Sequence, residues 1–129
     1  MTAPYSGLTK AFEAHTLDPD VFGHLEHVQV AYEMLQRYDF LEVSERYSRA
    51  INSIATRAGA PEKFNLTITL AFLSLIAERV HDTEHSDFEE FLALNEDLKS
   101  GSVLNRWYSR EVLASDFART HFALPDRVA

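Results

Sequence analysis

Apolar residues recur every three or four positions along most of the chain, and this spacing predicts α-helices. No stretch of useful length alternates between apolar and polar residues, so no β-strand is predicted. A short turn is expected around 103–108, before the last helix. The expected helices cover about 8–15, 21–38 or 24–38, 39–59, 62–81, 86–94 and 109–122.

Residues that favour helix ends support these boundaries. Asp39 is a typical N-cap, and Gly59 is typical of the residue after a helix. Pro61 fits the first turn of the fourth helix, where its missing amide hydrogen would have no partner. The run 86–89 reads as a capping box that opens the fifth helix, and Pro125 ends the last one.

The fourth predicted helix is apolar on nearly all sides, which is typical of a helix surrounded by others. Its apolar residues are Phe64, Leu66, Ile68, Leu70, Ala71, Phe72, Leu73, Leu75, Ile76 and Ala77. The sequence therefore predicts an all-α fold, with residues 1–129 forming a single domain. We expect an irregular bundle of five to seven helices around this central helix at about 62–81.

Composition agrees with one folded domain. A chain of 129 residues buries roughly two thirds of its unfolded surface, and 46% of its residues are hydrophobic. It contains no cysteine, which excludes disulfides, thiolate metal sites and cysteine nucleophiles. The remaining candidate chemistry uses histidine, carboxylate, tyrosine, hydroxyl and arginine side chains.

The net charge and the hydropathy of the chain argue against two classes of binding partner, nucleic acids and membranes. The net charge of −8 argues against nucleic acid, which is bound through a surplus of Lys and Arg. The acidic run at 82–97 is expected to be a solvated helix face. The most apolar segment, 66–77, is shorter than the about 20 residues that cross a bilayer, and the N-terminus has no signal-peptide pattern. We therefore expect a cytoplasmic protein with no membrane partner.

Two histidines stand out on the second helix. His24 and His27 are three residues apart, so they share a helix face that also carries buried bulk. The central helix sets Asn65 and Thr69 in one row and Thr67 in another. A buried polar group without a partner costs about 1–3 kcal/mol, so these side chains need partners on neighbouring helices. We predict a pocket between the second and fourth helices, where one histidine is a general base and Asn65 and Thr69 orient a ligand.

The C-terminal part adds a cationic candidate. Arginines outnumber acids there, and an arginine can hold a carboxylate or phosphate through two parallel hydrogen bonds. Tyr108 and Arg119 are the candidates for contacting an anionic ligand. The alternative is that these arginines pair with the acidic fifth helix and hold the tail on the domain.

Two other interpretations of the histidines stay open. They can be structural, bonded to backbone carbonyls, with the threonines bonded back to their own helix. They can also share a metal ion, but a catalytic site needs a third protein ligand and Asn65 is a poor one. His81 and Asp82, with His85 nearby, resemble the doublet of metal phosphohydrolases, although a surface helix end is the favoured interpretation.

Three stretches carry motifs that belong together. Residues 22–31 read F-x-H-x-x-H-x-x-x-A, residues 59–69 read G-x-P-x-K-F-N-x-T-x-T, and residues 108–126 contain Y-S and then S-x-x-A-R-x-x-F-x-x-P-D. The chain thereby resembles, over nearly its whole length, a family of small, uncharacterised bacterial all-helical proteins. Asn65 departs from that family, whose motif K-[YF]-H-x-T-x-T has histidine there, and this weakens the metal interpretation. The resemblance implies no activity, but it implies that one set of side chains belongs together: His24, His27, Asn65, Thr67, Thr69, Tyr108 and Arg119.

The functional hypothesis is a small-molecule enzyme or binding protein that performs acid/base chemistry on a small polar or anionic organic ligand. One alternative is a non-catalytic protein-interaction module with structural histidines. A second alternative is a metal-dependent enzyme that uses His24 and His27. The sequence names no substrate or cofactor, and a homodimer is compatible with a helical domain of this size.

Overall fold

Helices account for most of residues 5–127, the part of the chain that the computed structural model describes. These residues contain no β-strand, and the predicted all-α bundle is confirmed. The α-helices are α1 (Gly7–Glu13), α2 (His24–Arg37), α3 (Phe40–Arg57), α4 (Leu66–Asp82), α5 (Phe88–Leu94), α6 (Arg110–Leu113) and α7 (Asp116–Thr120). Short 3-10 helices cover Pro19–Val21, Pro61–Lys63, Glu96–Lys99 and Gly101–Arg106.

Polar caps begin the helices largely where the sequence places them. Asp39 accepts a hydrogen bond from the backbone amide of Glu42 at 2.9 Å, as expected of an N-cap. At α5 the cap is Asp87 rather than Ser86, because Asp87 accepts from the amide of Glu90. The Glu90 carboxylate accepts from the amide of Ser86, the residue before the cap, and not from the amide of Asp87 itself, so the capping box predicted at 86–89 does not form in its reciprocal geometry.

Two predicted boundaries are wrong for local reasons. The central helix begins at Leu66 and not near 62, because Pro61–Lys63 forms a separate 3-10 turn and Asn65 is the N-cap, accepting from the amide of Ile68. The single last helix expected over 109–122 is instead the pair α6 and α7. Ser115 breaks it, since its hydroxyl oxygen accepts from the amide of Ala118 and starts a new helix.

Helix α4 lies at the centre of the bundle and contacts α2, α3 and α7. Its residues Phe72, Leu73, Leu75 and Ile76 are buried. The first turns of α4 are less enclosed than the sequence predicts, because Ile68 is 40% exposed. This opening in the packing lies beside the predicted site.

The acidic run is mostly solvated, as expected, with one structural exception. Asp97 accepts two hydrogen bonds from the guanidinium of Arg79, at 2.7 and 2.8 Å, and also pairs with Arg106 at 3.6 Å. The guanidinium of Arg79 holds the pKa of Asp97 below its ordinary value. Within the described range, no helix is long and apolar enough to cross a bilayer.

Candidate functional site

A partly open cleft of about 320 Å³ lies where α2, α3 and the start of α4 meet. Four predicted site residues line it: His24, His27, Asn65 and Thr69. The remaining wall is mainly apolar and comes from α3, Phe22, Phe64, Phe72 and the 3-10 helix Gly101–Arg106. We call this space the histidine cleft. The helical spacing in the sequence does bring these four residues to one place.

His24 is fixed by a backbone carbonyl far away in the sequence. Its Nε2 lies 2.8 Å from the carbonyl oxygen of Leu98. A carbonyl only accepts, so Nε2 carries the proton, and in the neutral ring Nδ1 keeps its lone pair. The ring also packs on Phe72, with centroids 5.1 Å apart. His24 thus joins α2 to the 96–99 turn and still lines the cleft.

His27 is hydrogen-bonded through the other ring nitrogen, Nδ1, instead of Nε2. Its Nδ1 donates to the carbonyl oxygen of Gly23, one helical turn earlier, at 2.9 Å, so Nε2 keeps the lone pair in the neutral ring. The ring lies against Phe22, with centroids 4.0 Å apart. Burial lowers the pKa of His27 below its ordinary value, and the nearby His24 lowers it further. His27 is therefore a neutral proton acceptor at neutral pH.

The two imidazoles are neighbours, with ring centroids 6.4 Å apart. Each has one nitrogen bonded to a backbone carbonyl. Among residues 5–127 no three His, Asp or Glu side chains are grouped closely enough to hold a metal ion. In their neutral forms the two rings thus offer two acceptor nitrogens beside the same cleft.

Asn65 and Thr69 line the cleft, but their polar atoms are engaged within the fold. The Asn65 side chain caps α4 and donates from Nδ2 to the carbonyl oxygen of Leu113 at 2.7 Å. The Thr69 hydroxyl donates to the carbonyl oxygen of Asn65 at 2.8 Å. These side chains fix the cleft wall and the position of α6, and leave little free hydrogen-bonding capacity for a ligand.

Three residues that the resemblance groups with the histidines lie outside the cleft lining. Thr67 faces the other side of α4, where its hydroxyl donates to the carbonyl oxygen of His121 and accepts from the amide of Ala123. The Tyr108 hydroxyl donates to the carbonyl oxygen of Ala123 at 2.8 Å. Together they hold the C-terminal segment against α4. The sequence hypothesis of one seven-residue site is thus not what the geometry shows.

Arg119, on α7, is the third of these residues. It is half-buried and does not line the histidine cleft. Its guanidinium makes no hydrogen bond or ion pair with the described residues. The expected role of Arg119 in neutralising a ligand in this cleft has no support from its position.

Lys63 is a cleft residue that the sequence interpretation did not select. It follows Pro61 in the 3-10 turn, is exposed, and lines the histidine cleft. Its ammonium forms no ion pair with any described residue. The signal that could have pointed to it is its place in the K-[YF] motif.

Two further histidines, His81 and His85, belong to the doublet region that the sequence singles out. His81 bonds only to the adjacent Asp82 and is 88% exposed, as expected for a helix end. His85 Nδ1 and the Tyr32 hydroxyl are hydrogen-bonded to each other at 2.7 Å, and the His85 ring packs on Phe91. Neither lies near the histidine cleft.

No family model, curated protein or solved structure matches the chain. The chemistry of the site itself is therefore the basis for a function.

Proposed function

We propose that the protein binds a small hydroxylated organic anion in the histidine cleft, and that Nε2 of His27 accepts a hydrogen bond from the ligand's hydroxyl group. The supporting observation is the hydrogen bond from His27 Nδ1 to the carbonyl of Gly23, which leaves Nε2 as the acceptor. The lowered pKa of His27 keeps that nitrogen free of a proton at neutral pH. These are the properties of a general base.

The cleft's polar groups define the ligand class. Both histidines offer an acceptor nitrogen in their neutral forms, so a matching ligand has to donate a hydrogen bond. Lys63 supplies a positive charge for an anionic group, and the aromatic and aliphatic walls suit an apolar body. A volume of about 320 Å³ lies at the low end of the range for small-molecule sites. Mandelate, which has a phenyl ring, a hydroxyl and a carboxylate, is a suitable probe.

Lys63→Met is expected to weaken mandelate binding about fivefold, because an exposed charge pair contributes up to about 1 kcal/mol. Methionine keeps an unbranched side chain and removes only the ammonium. Isothermal titration calorimetry gives the dissociation constants. Lys10→Met is the matched control, since Lys10 is an exposed lysine on α1 outside the cleft and its loss should leave binding unchanged.

Phenylacetate, which lacks the hydroxyl, separates proton acceptance from charge recognition in the same titrations. The unchanged protein should prefer mandelate about three- to tenfold, the contribution of one hydrogen bond. His27→Leu, which removes the acceptor nitrogen, should reduce that preference, whereas Lys63→Met should keep it. Equal affinity for the two acids, or no detectable mandelate binding, would contradict the proposed ligand class.

A further inference from the structure

A second cleft, of about 250 Å³, lies on another face of α4, between that helix and the C-terminal segment. Ser74 and Glu78 of α4 line it on one side, and Trp107 and Phe122 line it on the other. We call it the tryptophan cleft. Leu104 lines both clefts, so the 3-10 helix Gly101–Arg106 separates them.

Three polar groups of this cleft lack partners among residues 5–127. The Ser74 hydroxyl, the Glu78 carboxylate and the Trp107 indole N–H form no hydrogen bond or ion pair there. Ser74 and Glu78 are four residues apart on α4, so their side chains lie on the same face. The adjacent Arg79 forms no ion pair with Glu78, because its guanidinium is hydrogen-bonded to Asp97, although the two charges still attract each other.

The rest of the lining is apolar and largely aromatic. Trp107, Tyr108 and Phe122 contribute rings, and Phe122 is 44% exposed although it is a large apolar residue. Aromatic rings attract cations through their electron-rich faces, and tryptophan does so most strongly. Glu78 is the only charged residue in the lining, and the whole chain carries a net charge of −8.

We infer that the tryptophan cleft is a second binding site, for a small organic ammonium ion. Its ammonium would donate to the Glu78 carboxylate and the Ser74 hydroxyl, while its hydrocarbon part would contact Trp107 and Phe122. The opposite charge of Lys63 in the histidine cleft makes the two sites selective for ligands of opposite sign. This inference does not depend on the function proposed for the histidine cleft.

Trp107 makes the site directly observable, because it is the only tryptophan in the chain. Titration with cyclohexylammonium, a compact cation without an absorbing group, should change the tryptophan fluorescence in a saturable manner. Cyclohexanol, the neutral analogue, should bind about fivefold more weakly, as expected when an exposed charge pair is lost. An unchanged fluorescence signal, or equal affinity for the neutral analogue, would overturn the inference.

Substitution of the carboxylate identifies the binding group. Glu78→Gln keeps the size of an exposed side chain and should weaken cyclohexylammonium binding about fivefold. Glu89→Gln, an exposed acid on α5 outside the cleft, is the matched control and should leave the affinity unchanged. His27→Leu should also leave the cyclohexylammonium affinity unchanged, which distinguishes this site from the histidine cleft. If the Glu78 and Glu89 variants lost the same amount of cyclohexylammonium affinity, the effect would come from the overall negative charge of the protein, and the proposed site would be wrong.

Discussion

Glu33→Ala is expected to lower the free energy of unfolding by about 3 kcal/mol, because it leaves several hydrogen-bond donors without their acceptor at once. Glu33 is only 4% exposed, and its Oε1 accepts from the amide and hydroxyl of Ser6 and from the hydroxyl of Thr9, at 2.8–2.9 Å. Gln29 donates to its Oε2 at 3.1 Å. Alanine would leave the buried Thr9 hydroxyl without this acceptor and detach the start of α1 from α2.

Urea unfolding followed by circular dichroism measures the loss. Glu84→Ala is the control, because Glu84 is an exposed acid in the loop before α5. Glu33→Gln keeps one acceptor oxygen and should fall between the two. If Glu33→Ala were as stable as Glu84→Ala, the carboxylate would not be the link between α1 and α2.

Thr67→Val is expected to lower the free energy of unfolding by about 2 kcal/mol, the cost of leaving buried backbone groups unpaired. Thr67 is fully buried, and its hydroxyl joins the carbonyl of His121 and the amide of Ala123 at 2.7 and 2.9 Å. Valine has nearly the same shape, so packing is preserved and only these two hydrogen bonds are lost. Urea unfolding again gives the magnitude, and limited proteolysis should show earlier cleavage in the C-terminal segment.

Thr67→Ser is the matched control, since it keeps the hydroxyl and removes one methyl group, at a cost of about 1 kcal/mol. Mandelate affinity of the folded Thr67→Val protein should stay unchanged, because Thr67 does not line the histidine cleft. If the folded Thr67→Val protein lost mandelate binding, Thr67 would belong to the ligand site, as the motif resemblance implies.

The sequence predicts the residues that share a helix face with good accuracy. His24 and His27 are one turn apart on α2, and Asn65 and Thr69 are one turn apart at the start of α4. Helical periodicity alone places each pair together, and the buried α4 brings the pairs to one cleft. The same periodicity separates Thr67 from Asn65 and Thr69, so the two rows on α4 serve different purposes.

Contacts between distant segments could not be predicted in this way. The carbonyl that fixes His24 belongs to Leu98, and the groups that hold Thr67 belong to the C-terminal segment. The spacing of apolar residues indicates which face of a helix is buried, but it does not indicate which distant segment packs on that face. Lys63 and Ser115 show the other limit, since each depends on a local interruption of a helix that the apolar pattern predicts as continuous.

The central claim is that His27 is a neutral proton acceptor in a ligand-binding cleft, and ¹⁵N nuclear magnetic resonance of the histidine rings tests it most directly. At neutral pH the His27 ring should be protonated on Nδ1 and unprotonated on Nε2, with a titration midpoint below the ordinary value of about 6.5. Saturating mandelate should shift the Nε2 resonance, and phenylacetate should shift it less. A His27 ring that carries its proton on Nε2, titrates above the ordinary value, or does not respond to mandelate would contradict the account.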